Sequence, residues 1–240
     1  MMRFEPILAA AMYIEEFHPD CQGAILAGSA VRGEATPTSD LDIVVFDETA
    51  GASYRESLIY KEWPIEVFVH NLASYQSFFE SDCSRARPSL PMMVSEGMVI
   101  KDLGVLATIK AEADLLLAAG PEKWTQATTG NKRYFITDAL EDFIGSDSKA
   151  ELLFIAGHLA ELLAEFVLRT NRQWIGQSKW IHRSLRNFDA GFAENFVEAF
   201  ERFYEKGEKE PVIRLVEEVL QPFGGRLFEG YTAGKKKERI

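Results

Sequence analysis

Cysteine is scarce in this sequence, with only Cys21 and Cys83 among 240 residues. Two cysteines at this spacing form neither a structural zinc motif nor the disulfide framework of a small secreted domain. The first residues also lack the unbroken apolar core of a secretory signal, because Glu15 and Glu16 fall within a helical pattern. We therefore expect a reducing, cytoplasmic environment.

Long hydrophobic runs are missing as well. The most apolar stretch, residues 152–168, is interrupted by His158, Glu161 and Glu165. Polar residues at these intervals are typical of a helix in the middle of a bundle rather than of a membrane span. We expect no membrane association.

Positive charge is in deficit, since 26 Lys and Arg face 37 Asp and Glu and the formal net charge is −11. A protein that binds nucleic acid without regard to sequence needs a basic surface to replace the counterions on phosphate. The composition therefore argues against nucleic acid as a partner, and it is compatible with cationic partners.

The first half of the chain mixes alternating, strand-like runs with helical ones. Strands are predicted at 24–27, 41–46, 54–60, 65–70 and 98–101. Helices are predicted at 4–17, 71–79 and 103–119, with a short one after Pro91. The pair 54–60 and 65–70 is expected to form a hairpin.

Gly120-Pro121 is the clearest boundary in the sequence. Beyond it, apolar residues recur at three- and four-residue spacing throughout. The predicted helices cover 122–144, 147–170, 178–187, 189–206 and 209–220. The predicted fold class is therefore α+β, with a small mixed-sheet head over residues 1–120 and an all-helical bundle over 121–240.

Two carboxylates lie at the start of an apolar strand in the predicted head domain. Asp40 and Asp42 are two residues apart, and Ile43-Val44-Val45-Phe46 continues the strand into a core. In an extended chain, residues two apart point the same way. Paired carboxylate oxygens suit a hard cation such as Mg²⁺ or Mn²⁺, which commonly shares its coordination with substrate phosphates.

A third carboxylate is expected on a later strand, 65–70, where Glu66 alternates with apolar residues, and this strand is expected to lie adjacent, with Glu66 facing the pair. Glu62 lies four residues earlier and is the alternative ligand if the register of the strand differs from this one. Alternation favours Glu66, because Glu62 precedes the turn signal Trp63-Pro64.

A candidate phosphate site precedes the acidic pair. Residues 23–28 read as a short buried strand that ends in Gly28, and the amides of Gly28 and Ser29 are then placed to face a phosphate. Arg32 is a candidate to neutralise a triphosphate, although an arginine beside Glu34 is commonly just solvated. Ser39 is either a phosphate-facing hydroxyl or a turn residue after Pro37-Thr38.

The string Gly28-Ser29 followed by Asp40-Leu41-Asp42-Ile43 resembles the signature of the DNA polymerase beta-like nucleotidyltransferase superfamily. The fuller run, residues 28–42, is similar to that of small bacterial members, including aminoglycoside nucleotidyltransferases. The resemblance implies a nucleotidyltransferase domain over 1–120 and a helical substrate-binding domain over 121–240. It also implies a metal site at Asp40, Asp42 and Glu66, a nucleoside triphosphate as co-substrate and a small hydroxylated acceptor.

In the aminoglycoside enzymes a carboxylate of the helical half acts as the general base, and here Asp138, Glu141 and Asp142 form an acidic cluster early in that half. Asp138 is the first choice, since it shares a helix face with Asp142 at i and i+4. The alternative is a solvated helix surface.

Two other functions are compatible with the same motifs. Small members of the superfamily adenylylate or bind helical toxin partners, so the chain is alternatively an antitoxin-type protein adenylyltransferase or binder. Such antitoxins usually consist of the head alone, which ranks this reading second. A binding module with an inactive site ranks third, because all three carboxylates are present.

Overall fold

The computed structural model describes residues 3–234, and the chain divides after Gly120 into two compact units. The first unit combines a sheet with helices. In chain order its elements are α1 (Pro6–Phe17), β1 (Gly23–Ala27), β2 (Leu41–Phe46), β3 (Tyr54–Tyr60), β4 (Trp63–His70), α2 (Tyr75–Ser84), α3 (Ser89–Glu96), β5 (Met98–Asp102) and α4 (Leu106–Ala119).

The strands form one five-stranded mixed sheet in the order β3-β4-β2-β1-β5. β2 and β4 are parallel, and the remaining neighbours are antiparallel. The register of the parallel pair places Asp42 opposite Glu66. Because opposed residues of adjacent strands point to the same face, these two side chains are neighbours.

Alternation along β2 divides the core of this unit between the two faces of the sheet. Leu41, Ile43 and Val45 belong to the cluster that includes the buried residues of α1. Val44 and Phe46 belong to the cluster that includes buried residues of α2, α3 and α4. Asp42 has the parity of Val44, so it lies on the α2–α4 side, at the start of its strand.

The predicted fold class is confirmed, because a mixed sheet with helices precedes a helical region. One helix differs from its predicted bounds of 71–79. Asn71 does not begin that helix, since its Oδ1 accepts a hydrogen bond from the Ala73 amide at 3.1 Å and forms a local turn. α2 consequently begins at Tyr75 and continues to Ser84.

The second unit is helical throughout its described part. Its elements are α5 (Gln126–Gly145), α6 (Lys149–Thr170), α7 (Lys179–Phe188), α8 (Ala190–Lys206), α9 (Glu210–Leu220) and a 3-10 turn (Gln221–Phe223). Several helix ends carry ordinary caps. Ser148 Oγ accepts from the Glu151 amide, Asp189 Oδ1 accepts from the Phe192 amide, and Gly207 ends α8 in the left-handed conformation.

A C-terminal segment, residues 224–231, follows the 3-10 turn and contacts α5. The Leu227 amide donates to Thr137 Oγ1 at 2.9 Å, and Arg133 Nε donates to the Gly225 carbonyl at 3.1 Å. Tyr231 stacks on Tyr134 with ring centroids 3.8 Å apart. The segment is thus fixed along α5 by both polar and aromatic contacts.

Across residues 3–234, no helix combines the length and the hydropathy that a membrane crossing requires.

Candidate active site

Three carboxylates converge at the start of β2. Asp42 is the second residue of β2, Glu66 is its register partner on β4, and Asp40 lies just before β2. One oxygen from each side chain lies within 4.8 Å of the other two. The predicted Asp40, Asp42 and Glu66 are therefore brought together by the parallel pairing of two strands. Glu62, the alternative, lies in the two-residue β3–β4 turn with φ of 66°.

The electrostatics of this acidic triad are unfavourable for three negative charges. Burial, followed by the charges of Asp40 and Glu66, raises the pKa of Asp42 to about 6. The positive charges of Arg32 and Arg55 act in the opposite direction. A divalent cation would relieve this repulsion, and an all-oxygen donor set of this size fits Mg²⁺ or Mn²⁺.

Gly28 leaves room for Asp42. The residue follows β1 with φ of +79°, and a Cβ atom built on it would lie 2.1 Å from Asp42 Oδ2. A side chain here would meet both a left-handed backbone and a carboxylate oxygen. Gly28, which the sequence predicts as a phosphate contact, is in the structure the residue that leaves space for the acidic triad.

The two serines of the predicted phosphate site contact each other. Ser29 Oγ donates to Ser39 Oγ at 3.1 Å, and Ser39 Oγ accepts from the Thr36 amide at 2.8 Å. The Ser39 hydroxyl therefore closes the 36–39 turn, as its turn interpretation predicts. Through Ser29 the same hydroxyl is connected to the end of β1.

Arg32 is half-buried and contacts Glu34 at 3.3 Å and Glu96 at 3.6 Å. It also lies close enough to Asp42 for its charge to lower the pKa of that carboxyl. Its charge is thus shared among several carboxylates rather than simply solvated.

Arg55 is a site residue that the sequence analysis missed. Its Nη2 lies 2.5 Å from Glu66 Oε2, and its Cζ lies 4.9 Å from the centroid of the Phe68 ring. The register of the hairpin reveals its role: the two-residue turn at 61–62 pairs Tyr60 with Trp63 and brings Arg55 opposite Phe68. Arg55 and Glu66 are then diagonal neighbours on one face.

The candidate base cluster belongs to the second unit. Asp138 is exposed on α5, and within residues 3–234 its side chain makes no hydrogen bond or ion pair. Glu141 is paired with Arg226 at 2.8 Å. Glu141 and Asp142 also line a depression of about 480 Å³, together with Phe154.

The first unit thus carries a clustered acidic triad beside a glycine-ended strand on a mixed sheet. Residues 13–75, which contain the triad, match the family model described as a nucleotidyltransferase domain. This match supports nucleotidyl transfer as the general class of chemistry and a nucleoside triphosphate as a substrate.

Among solved structures, the chain is similar to a nucleotidyltransferase-like protein from Exiguobacterium sibiricum 255-15. The two share 12% identity at a TM-score of 0.47, over 90% of this chain and 74% of the other. No curated protein matches the sequence significantly.

Proposed function

We propose that this protein transfers a nucleoside monophosphate from a nucleoside triphosphate to a hydroxyl of a small-molecule acceptor, in a reaction dependent on two divalent cations. The observation that carries the proposal is the convergence of three carboxylate oxygens within 4.8 Å. Its location within the stretch that matches a nucleotidyltransferase domain supports the same conclusion.

In the proposed reaction, the acceptor oxygen forms a bond to the α-phosphorus while the bond from that phosphorus to the pyrophosphate oxygen breaks. Asp40 and Asp42 would hold the cations, and Glu66 would complete the second position. Bound Mg²⁺ or Mn²⁺ would supply charge neutralisation for the phosphates and for the attacking oxygen. The protein's own contribution is mainly positioning.

The residues around the triad would orient the triphosphate. Gly28 follows β1 and has no side chain, and in this proposal its amide and that of Ser29 would donate to phosphate oxygens. Ser39 fixes the hydroxyl of Ser29 through their hydrogen bond. Arg32 adds a positive charge beside the triad.

The acceptor is assigned to the helical unit by the same proposal. The proposed acceptor is a hydroxylated polyamine similar to an aminoglycoside. The net charge of −11 and the acidic residues of α5 support a cationic acceptor. Asp138 would accept the proton of the attacking hydroxyl.

Calorimetry of triphosphate binding with and without Mg²⁺ tests the site. Asp42→Asn should abolish the Mg²⁺-dependent part of the binding. Asp47→Asn is the matched control, because Asp47 directly follows β2 and its Oδ1 caps the Thr49 amide, a role that asparagine retains. Undiminished Mg²⁺-dependent binding by Asp42→Asn would refute the site.

Mass spectrometry of reactions with a panel of aminoglycosides and other polyols tests the acceptor. The expected product is the acceptor plus one nucleoside monophosphate. Labelling of protein alone would overturn the small-molecule assignment.

A further inference from the structure

Arg55 is placed to compete for the third carboxylate. It lies on β3, an edge strand of the sheet, on the same face as Glu66 and Phe68. Its side chain is 58% exposed, whereas that of Glu66 is 26% exposed. Arg55 is therefore the more exposed partner of this ion pair.

Among the residues that the structure describes, Glu66 is the one carboxylate with which Arg55 forms an ion pair. Arg32, by contrast, contacts both Glu34 and Glu96. The Phe68 ring gives the guanidinium a second contact, at 4.9 Å. Arg55 therefore has a contact that does not depend on Glu66, on a side chain that is more than half exposed.

We infer that Arg55 occupies Glu66 in the metal-free protein and yields it to a divalent cation, so that this arginine is a positioning residue that sets cation affinity. The inference rests on the proposed function in one respect, namely that the acidic triad binds a divalent cation. The two compete because both are cations: a divalent ion held by Glu66 repels a guanidinium at the same carboxylate, and the guanidinium opposes the ion in return.

Mn²⁺ binding to the nucleotide-free full chain tests the inference, by electron paramagnetic resonance of free Mn²⁺. Arg55→Gln should tighten binding by about threefold to tenfold, since an exposed ion pair is lost and repulsion of a doubly charged ion is removed. Arg55→Lys retains the charge and should bind like the parent protein.

Arg85→Gln is the matched control. Arg85 is 61% exposed, is also paired with a carboxylate, that of Asp82, and belongs to the same unit. Its replacement removes the same charge and should leave Mn²⁺ affinity unchanged. Circular dichroism of each variant establishes that it is folded.

A double-mutant cycle locates the effect. In the Glu66→Gln background, Arg55→Gln should tighten binding clearly less, because the carboxylate over which the two cations compete is gone and only the general repulsion between Arg55 and the ion remains. A gain of undiminished size in that background, or an Arg55→Gln affinity equal to or below that of the parent, overturns the inference.

The outcomes separate the two proposals. Mn²⁺ binding that follows the expected pattern without any nucleotidyl transfer would refute the proposed function and leave the role of Arg55 intact. Mn²⁺ binding by the parent that Arg55→Gln fails to tighten would refute the role of Arg55 alone. Absence of Mn²⁺ binding in both proteins would refute both.

Discussion

Gly28 and Asp42 are in such close contact that the glycine has no room for a side chain. A Cβ atom at residue 28 would lie 2.1 Å from Asp42 Oδ2, and the φ of Gly28 is +79°. Gly33, five residues later, has a similar φ of +70° but nothing within 4 Å of its hypothetical Cβ. An alanine at either position has to adopt the left-handed backbone, but only an alanine at residue 28 also has to displace the Asp42 carboxylate. Comparing the two substitutions therefore distinguishes these effects.

We expect Gly28→Ala to lower the Mn²⁺ affinity of the protein by about tenfold to a hundredfold, the usual effect of misplacing a metal ligand through its neighbour. Gly33→Ala should leave that affinity unchanged. Both substitutions should cost about 1–2 kcal/mol of stability through the left-handed backbone. Calorimetry with Mn²⁺ and thermal unfolding measure the two effects, and equal affinities in the two variants would contradict the contact.

The raised pKa of Asp42 predicts that this carboxylate destabilises the metal-free protein at neutral pH. Its pKa is 3.8 in a free carboxyl and about 6 in the folded chain. The folded state therefore binds the proton more tightly, so stability falls as pH rises from about 4 to 6, and the full cost is present above pH 6. Asp42→Asn should remove a cost of about 1–3 kcal/mol above pH 6 and have no effect below about pH 4.

The difference in free energy of unfolding is measured by urea unfolding in the presence of a chelator. Pulsed hydrogen exchange of peptides from β2 and β4 is the detection method, so that the unfolding of the first unit is observed. The parent and Asp42→Asn are compared at each pH, with Asp47→Asn as the control. Excess Mg²⁺ should reverse the order and make the parent the more stable protein. An Asp42→Asn that is less stable than the parent at pH 7 without metal would contradict the raised pKa.

Thr137 is a stability determinant of the helical unit. The side chain is buried, donates to the Arg133 carbonyl at 2.8 Å and accepts from the Leu227 amide at 2.9 Å. Thr137→Val keeps the shape but leaves the Leu227 amide without its partner, so we expect a loss of about 1–2 kcal/mol. Thr129→Val is the control, because its hydroxyl donates to the Thr125 carbonyl at an exposed position. Urea unfolding followed by circular dichroism compares them, and equal losses would contradict the role.

The sequence predicted the elements of this protein better than their arrangement. The apolar run of β2 and the alternation of β4 give each strand its period, and Glu66 was located by that period. Nothing in either segment specifies that they pair in parallel, yet this pairing is what brings Asp42 opposite Glu66. Register between distant strands depends on the whole core and not on local pattern.

Two further features of the structure were not predicted from the sequence, and both depend on which partner a side chain finds. Asn71 has the properties of a helix cap, but its side chain bonds two residues ahead, and α2 begins later. Arg55 was overlooked because an exposed arginine on an edge strand is ordinary by itself. Its relation to Glu66 is visible only once the hairpin register is known.

Our last prediction concerns the general base. Of the three carboxylates in the α5 cluster, Glu141 is engaged by Arg226, which also pairs with Glu217 at 2.5 Å. Asp138 has no such partner within residues 3–234. A carboxylate that is not held by an ion pair is available to accept a proton, which favours Asp138 over Glu141.

Asp138→Asn should lower turnover by at least about a hundredfold, the usual lower bound for general-base assistance, while triphosphate affinity remains unchanged. Asp142→Asn, one helical turn away, and Glu141→Gln are the comparisons, and each should retain near-parent turnover. Steady-state rates with a saturating acceptor, together with calorimetry of triphosphate binding, separate the chemical step from nucleotide binding. Near-parent turnover in all three variants would identify the cluster as a solvated helix surface, whereas a loss confined to Asp142→Asn would transfer the role to Asp142, one of the carboxylates that line the α5–α6 depression.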